Sequence, residues 1–535
     1  MSNPRSRKCQ IERINGGSFD VIIIGSGVCE AAIFATLASK GIPVALLSPE
    51  DFSSRSNQDI PFLLNDGYES VRGSALSNSY LTNKSIQKMS SSRTTGIQEI
   101  PYLSLLLEAK DENVRSSKKQ LLANSIASKS GKPQLIRQKS LDALHDKMRV
   151  SNLKGAIEHK AAYCPDGEGR LAMNLIHHGM SHDTNNALTA NYLEPISANQ
   201  SPGKPWEIVF KDKINQTEIT LLSKIIIESQ RPDAENIVPL KTETKQVAIR
   251  NTHIAFPQFI SKQKYIRLFN NKNKRMTISP AMDKNIVTCS RIQKENEDES
   301  TLAEDTKNIL SAINAQYKLE EEISETDIES VWTTLSQQSS TKEDDLLCNL
   351  SFIGIKNQVR LDATKRVINL RGARVSSSYY ISKEVEKIIS RIGINFKPET
   401  NKWHSSANTT EKGYFLDLAK NLDLTNTEAG PNSYAQSIWR RHRSNSFRIL
   451  DIIESNEKLA TPLIKDYNYL WAEIASIRSN EMVTSLEDFL YRRTILGQLK
   501  GDLVYKHISR SDLEKALWLD PTAPTPPVEN KLEST

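Results

Sequence analysis

At 535 residues the chain is long enough for two or three domains with separate cores, and its 38% apolar and 25% charged content is that of a globular protein leaning polar. A net charge of +6 over that length is too thin to argue for nucleic acid as a partner. The five cysteines (Cys9, Cys29, Cys164, Cys289 and Cys348) stand far apart without a CxxC pair, so neither a zinc site nor a disulfide framework is expected, and a reducing cytoplasm fits.

Residues 1–17 are polar and basic with no apolar stretch, so they read as a flexible lead and not as a signal peptide. No apolar run is long enough for a transmembrane helix. The first structured element expected is FDVIII (19–24), a continuous apolar run suited to a strand buried on both faces of a parallel sheet. Gly25 and Gly27 turn the chain, and 28–40 carries Ala31, Ala32, Phe34, Ala35, Leu37 and Ala38, small enough to pack a helix on that sheet. Gly41 stops this helix, and PVALL (43–47) is the second strand.

Residues 75–150 are rich in Ser, Lys and Asn with apolar islands such as IPYLSLLL (100–107), and read as a long, partly irregular insertion. A helix is expected at 168–180, a strand near 187–193, and further strands at 205–212 and 218–229. From about 240 to 350 strands alternate with helices; 301–319 has an apolar stripe through Leu302, Ile309, Leu310, Ile313 and Tyr317. A strand and a helix return near 367–390, and 433–517 reads as wholly helical. Within it, 484–501 has a capping box, Thr484 with Glu487, and a stop at Gly501. The Pro-rich tail is expected to be disordered.

Several of these segments together resemble the FAD-dependent glycerol-3-phosphate dehydrogenase family, over about 18–515. The carriers are the opening strand–turn–helix unit with EDFSSRS after the second strand, the segment 153–176 with Arg170–Leu171, NTHIAFPQ (251–258), DIESVW (327–332) and, most specifically, SLEDFLYRRTILGQL (485–499). The resemblance implies an α/β fold: an FAD/NAD(P)-binding Rossmann-like flavoprotein domain, a mixed-sheet substrate domain and an all-α C-terminal cap. The corresponding division is a lead (1–17), a discontinuous FAD-binding-like domain (18–75, 150–238 and 355–392), a polar insertion (76–149), a substrate-like domain (239–354), a helical cap (393–520) and a tail (521–535).

The resemblance also assigns site positions. Cofactor contacts fall on Gly25, Gly27, Ser48, Gly372 and Ser376, a substrate contact on Arg374 and a catalytic base on His253; no metal is implied. Many matching positions are substituted. Glu30 stands where a third glycine permits close helix–strand packing, and Ser48 where an acid grips the ribose. Glu30 either points to solvent or fills the phosphate position itself, since a helix N-terminus favours an anion. Glu50 and Asp51 are alternative ribose acids.

Arg231, Ala373, Arg374, Asn65, Glu69, Ser70 and Ser336 replace residues the family uses for close backbone approach or for charge, and Gly67 alone survives of its substrate stretch. Losing charge-assisted hydrogen bonds to a phosphate costs about 1.5–3 kcal/mol each.

WRRHR (439–443) reads either as a solvated helix face or as a contact for phosphate, an anionic membrane or RNA. Two functions are therefore expected. One is a diverged, catalytically impaired or inactive homologue acting in binding or assembly. The other is an active FAD-dependent oxidoreductase for glycerol 3-phosphate or a related small alcohol. The partner is a small-molecule ligand if the chain is active. The location is cytoplasmic, with weak contact at the inner face of a membrane open, as is the oligomeric state.

Overall fold

The computed structural model describes residues 3–54, 62–64, 75–107, 134–137, 153–182, 186–229, 236–238, 246–259, 265–269, 275–292, 299–317, 319, 321–339, 359–398, 401–407, 409–425, 433–465 and 467–518. The elements in order are α1 (Arg7–Ile14), β1 (Ser18–Ile24), α2 (Val28–Ala38), β2 (Val44–Leu47), β3 (Phe62–Leu64), α3 (Ala75–Ser90), β4 (Gln98–Leu107), β5 (Gln134–Arg137) and β6 (Leu153–Cys164). There follow α4 (Gly167–Met180), β7 (Ala187–Ala190), β8 (Leu193–Gln200), β9 (Trp206–Asp212), β10 (Thr217–Ser229), β11 (Gln246–Pro257), β12 (Tyr265–Phe269), β13 (Arg275–Ala281), β14 (Lys284–Ile292), α5 (Glu299–Gln316) and β15 (Ser330–Ser339). The last are β16 (Val359–Asp362), β17 (Val367–Leu370), α6 (Ser378–Arg391), α7 (Thr409–Asn421), α8 (Tyr434–His442), α9 (Ser446–Ser455), α10 (Trp471–Asn480), α11 (Leu496–Lys500) and α12 (Arg510–Leu517).

The first sheet runs β16-β17-β10-β1-β2-β7, parallel from β17 to β7. The β8–β9 pair joins it antiparallel along the first half of β10. The sequence of β10 shows this division. Its first half alternates exposed and buried residues, and Ile225–Glu228, entering the sheet centre, is buried throughout. On one face, Val21, Ile23, Val44, Leu46, Ile225 and Ile227 pack under α2, α4 and α6. On the other, Ile22, Ile24, Ala45 and Leu47 meet Ile14 and the inner residues of β8 and β9.

The second sheet runs β15-β11-β14-β13-β12-β4-β6-β3, with β5 also on β6; β12 and β4 are parallel and the other pairs antiparallel. Helix α5 packs Ile309, Ala312 and Ile313 onto it. The cap has its own core of Phe415, Ile438, Trp439, Ile449 and Ile453, and a second cluster that reaches Ala255, Ala281 and Ile286 of the sheet.

Four expectations change. Residues 3–17 are no free lead: Ser6 caps α1, and the buried Gln10 accepts a hydrogen bond from the Thr189 amide of β7 at 2.9 Å. The segment 76–149 is not apart from the body, because β4 and β5 are strands of the second sheet. IPYLSLLL is paired along its length with β6. The described residues of 246–339 are mostly antiparallel strands, with helix α5 and a short 3-10 turn, Glu325–Asp327. The acid that caps the 484 segment is Asp488, whose Oδ2 accepts from the Thr484 amide and hydroxyl at 2.8 Å each, so Glu487 is not the capping partner. The segment then winds as a π-helical turn, Asp488–Arg493, and not as a continuous α-helix.

Candidate functional site

Three turns converge at the carboxyl ends of β1, β2 and β17, the crevice where parallel α/β sheets bind ligands. The turn after β1 is Gly25–Ser26–Gly27. The loop after β2 folds onto it, with the Ser53 amide donating to the Ser26 carbonyl at 2.7 Å. The turn after β17 reaches it through Cys29, whose Sγ donates to the Arg374 carbonyl at 3.2 Å and lies 3.4 Å from the Ser378 hydroxyl. Burial pushes the Cys29 thiol up, and the Glu30 carboxylate adds to the push, so the sulfur stays protonated and is no nucleophile.

Glu30 decides the character of this crevice. It is the third residue of α2, and helical side chains lean toward the N-terminus, so its carboxylate swings back over the glycine turn. A methyl group on Gly25 would lie 2.8 Å from Glu30 Cγ, and one on Gly27 would lie 2.7 Å from Glu30 Oε2. Glu30 is 4% exposed. Of the two orientations expected for it, the one toward solvent is excluded.

The other assigned residues are placed as follows. Ser48 is buried, and its hydroxyl accepts from the Glu50 amide of its own loop at 3.3 Å. Asp51 is committed elsewhere, as described below. Gly372 has φ +52°, which glycine adopts without steric cost. Ser376 is buried, and its hydroxyl has no hydrogen-bond partner among the described residues. The same holds for Asn369 Nδ2 and Arg371 Nη1. Three buried polar atoms without partners therefore lie within residues 369–376, each costing about 1–3 kcal/mol if left dry. Arg374 is half-buried at the start of the 3-10 turn Val375–Ser377.

His253 does not reach the crevice. It sits in the middle of β11, 0% exposed, with Nδ1 2.8 Å from the Thr288 hydroxyl, Nε2 3.0 Å from the Thr334 hydroxyl, and its ring stacked on Trp332 at 5.1 Å. Both nitrogens have hydroxyl partners inside the sheet, the geometry of a core histidine. Ser336 lies in β15 in register with Ile249 of β11. Asn65, Gly67, Glu69, Ser70, Arg231 and Cys348 lie outside the described residues.

A second cluster joins the cap to the body. The Asp51 carboxylate, 1% exposed, accepts from Arg493 Nη1 and Nη2 at 2.8 Å each, from Arg492 Nε at 2.7 Å and from Asn191 Nδ2 at 2.8 Å. Burial alone would raise Asp51, but Arg493 and Arg492 outweigh it and hold the carboxyl below its ordinary value. Arg492 also pairs with Asp488, which accepts from the Tyr192 hydroxyl at 2.7 Å.

Arg170 grips Glu481 at 2.7 and 3.1 Å and donates to the Arg493 carbonyl at 2.7 Å. Arg7 extends the chain of contacts to Asp212 and the Asn191 carbonyl. WRRHR belongs to a parallel cluster. Arg440 pairs with Asp166, and Arg441 and His442 pair with Glu473, so these residues are engaged within the protein and are not a solvated face. Arg170 and LEDFLYRRT were visible in the sequence; their partners Asp51, Asn191 and Glu481 were not.

Residues 404–510 match the family described as the C-terminal domain of alpha-glycerophosphate oxidase. In this segment the chain is similar to the glycerophosphate flavoproteins. It is 21% identical, over 95% of its own length and 83% of the other's, to a protein named "Probable glycerol-3-phosphate dehydrogenase" of Encephalitozoon cuniculi (strain GB-M1). The glycerol-3-phosphate dehydrogenase of Bacillus halodurans, solved in complex with FAD, is similar with a TM-score of 0.70 at 16% identity, covering 98% of this chain and 95% of that one. The L-alpha-glycerophosphate oxidase of Mycoplasma pneumoniae, with FAD bound, is similar with a TM-score of 0.54 at 12% identity, covering 73% and 99%. The fold is thus that of the FAD-binding flavoprotein oxidoreductases.

Within that fold, the space a pyrophosphate would take over the glycine turn is filled by the Glu30 side chain, so the residues at this turn do not fit the diphosphate of FAD. No described helix is long and apolar enough to cross a membrane.

Proposed function

We propose that this chain is a diverged member of the glycerol-3-phosphate dehydrogenase group whose oxidation chemistry is impaired or lost, and that it serves in binding or assembly. The observation that carries this reading is where its motif residues work. Arg170, Asp51, Asp488, Arg492 and Arg493 are all spent on holding the cap to the body. The base that the sequence offers, His253, is sealed inside the second sheet. An oxidation at a secondary alcohol needs a base within reach of the hydroxyl and fixed cations for the phosphate.

A second reading, an active FAD-dependent oxidoreductase acting on glycerol 3-phosphate, draws support from the partnerless Asn369 Nδ2, Arg371 Nη1 and Ser376 Oγ, which suit a polar ligand. The test is flavin content. Purified protein without visible flavin absorbance, and without a thermal shift on added FAD, is the expected result. Yellow protein bleached by glycerol 3-phosphate would overturn the first reading and establish the second.

A further inference from the structure

We infer that Glu30 is a built-in stand-in for the cofactor's phosphate: a carboxylate of the chain itself occupies the anion position at the start of α2 and excludes the pyrophosphate of a dinucleotide. This deepens the proposed function and rests on it.

Three features of the turn support the assignment. The first is position. The third residue of a helix is where an acidic side chain can fold back to the preceding backbone amides, and α2 has Gly27 as its N-cap with no side chain of its own to satisfy them. The second is distance. Glu30 Cγ, Cδ and Oε2 lie 2.8–3.3 Å and 2.7 Å from where methyl groups on Gly25 and Gly27 would be, so the carboxylate covers both glycines whose bareness lets a diphosphate approach. The third is enclosure. Ser229, from the end of β10, stands 3.3 Å from that same position on Gly25, and the Ser53 amide is tied to the Ser26 carbonyl, so the turn is hemmed in by both neighbouring strand ends.

The carboxylate excludes a diphosphate in two ways. It takes the volume, and it places a negative charge where a second one would have to go. The positive end of the helix is already matched to Glu30. The rest of the crevice keeps the frame of a nucleotide site: the parallel strand ends, the positive-φ Gly372 and the partnerless donors of 369–376. One side chain therefore accounts for the closure of the pyrophosphate position.

The experiment compares wild type with Glu30→Gly, Glu30→Ala and Glu30→Gln, titrating FAD and ADP by calorimetry and inorganic phosphate by thermal shift. The far-ultraviolet circular dichroism spectrum is recorded for each variant. Alanine retains helix propensity, so at least one small variant is expected to fold. Emptying the cradle of the side chain is expected to tighten FAD and ADP binding about tenfold or more in the Gly and Ala variants, since both the volume and the like charge are removed. Glu30→Gln, which removes the charge but keeps the volume, should gain clearly less than either small variant.

Folded Gly and Ala variants that bind no better than wild type would overturn the inference and leave the proposed loss of oxidation standing. A Gln variant as tight as Gly would overturn occupancy as the cause. A wild-type protein that takes up FAD stoichiometrically would overturn the inference, and only bleaching of that flavin by glycerol 3-phosphate would overturn the proposed loss of oxidation as well.

Discussion

Arg493 and Asp51 form a doubly hydrogen-bonded ion pair, 2.8 Å at each contact, in which neither side chain is exposed. Asp51 belongs to the loop that leaves β2 in the first sheet, and Arg493 to the π-helical turn of the cap. Consecutive residues of that turn, Arg492 and Arg493, converge on one carboxylate. The contact that fastens the cap to the sheet is thus made by the very loop in which the sequence suggests a ribose acid.

Breaking this pair from one side should be costly. Asp51→Ala leaves two arginines facing a dry site, and removal of one partner of a buried pair costs about 3–5 kcal/mol. Urea unfolding should show that loss, and limited proteolysis should release the cap region earlier than in wild type. A loss below about 1 kcal/mol, the range of surface pairs, would show that water replaces the carboxylate.

The crossing of α4 with the cap depends on Gly169. A methyl group there would stand 2.3 Å from the Arg492 carbonyl oxygen, which is backbone and cannot swing away. Gly169→Ala should therefore destabilise by about 1–3 kcal/mol. Gly413 in α7 has nothing within 4 Å of the same position. Gly413→Ala should stabilise by about 0.5–1 kcal/mol, by restricting the unfolded chain. Thermal midpoints moving in opposite directions for the two substitutions are the expected outcome.

Acidification should weaken the body–cap junction well above the carboxylate range. His177 is buried and held at about 3: burial lowers it, Glu481 opposes, and Arg5 and Arg170 lower it further. Its Nε2 lies 3.3 Å from the Asn480 carbonyl, which can only accept, so Nε2 carries the proton and Nδ1 accepts from Asn445 at 2.9 Å. A folded value below the unfolded one means stability is complete above about pH 6.5 and falls as pH drops, by about 1.4 kcal/mol per unit. His177→Gln should flatten the urea-midpoint profile between about pH 6.5 and pH 5.

A second acid limb follows from Glu473 and Glu481. Burial pushes each up, but Arg441 and Arg170 respectively outweigh it, and both sit at about 2. Carboxyls depressed in the fold contribute stability above their unfolded value that is lost as pH falls toward the folded one. Unfolding should therefore steepen below about pH 4.5, and Glu481→Gln should lessen that steepening while lowering stability at neutral pH.

His253 should behave as a core residue. His253→Leu strips the Thr288 and Thr334 hydroxyls of their ring partners, a loss of about 1–3 kcal/mol visible in the thermal midpoint. Any reduction of added flavin by glycerol 3-phosphate should be the same in folded variant and wild type. A selective loss of turnover with unchanged stability would return His253 to a catalytic role.

Much of the frame was legible because its signals are local. The unbroken FDVIII and IIIES runs announce strands buried on both faces, and the glycines at 25, 27 and 41 mark the turns of the first unit. LEDFLYRRT identified the cap. The insertion was misread because Ser, Lys and Asn surround its apolar islands, and a strand such as Gln98–Leu107 is stabilised by its partner β6, some fifty positions away. The capping acid was misassigned by one residue because the box begins at Ser485, whose hydroxyl accepts from the Asp488 amide while the Asp488 carboxylate accepts from the Ser485 amide, 3.2 Å each.

What the sequence by itself determined is the order of strands, turns and helices, since apolar continuity and glycine position act over a few residues. It also located Glu30 at the start of α2 and left its direction, toward solvent or back over the glycine turn, for the fold to decide. The tertiary structure decided what the polar residues do. Asp51, His253 and Arg441 are equally able to hold a ligand or a neighbour, and the outcome depends on the atoms within hydrogen-bonding distance. For Asp51 those atoms come from Asn191, Arg492 and Arg493, which lie 140, 441 and 442 positions further along the chain, separations that no local pattern records.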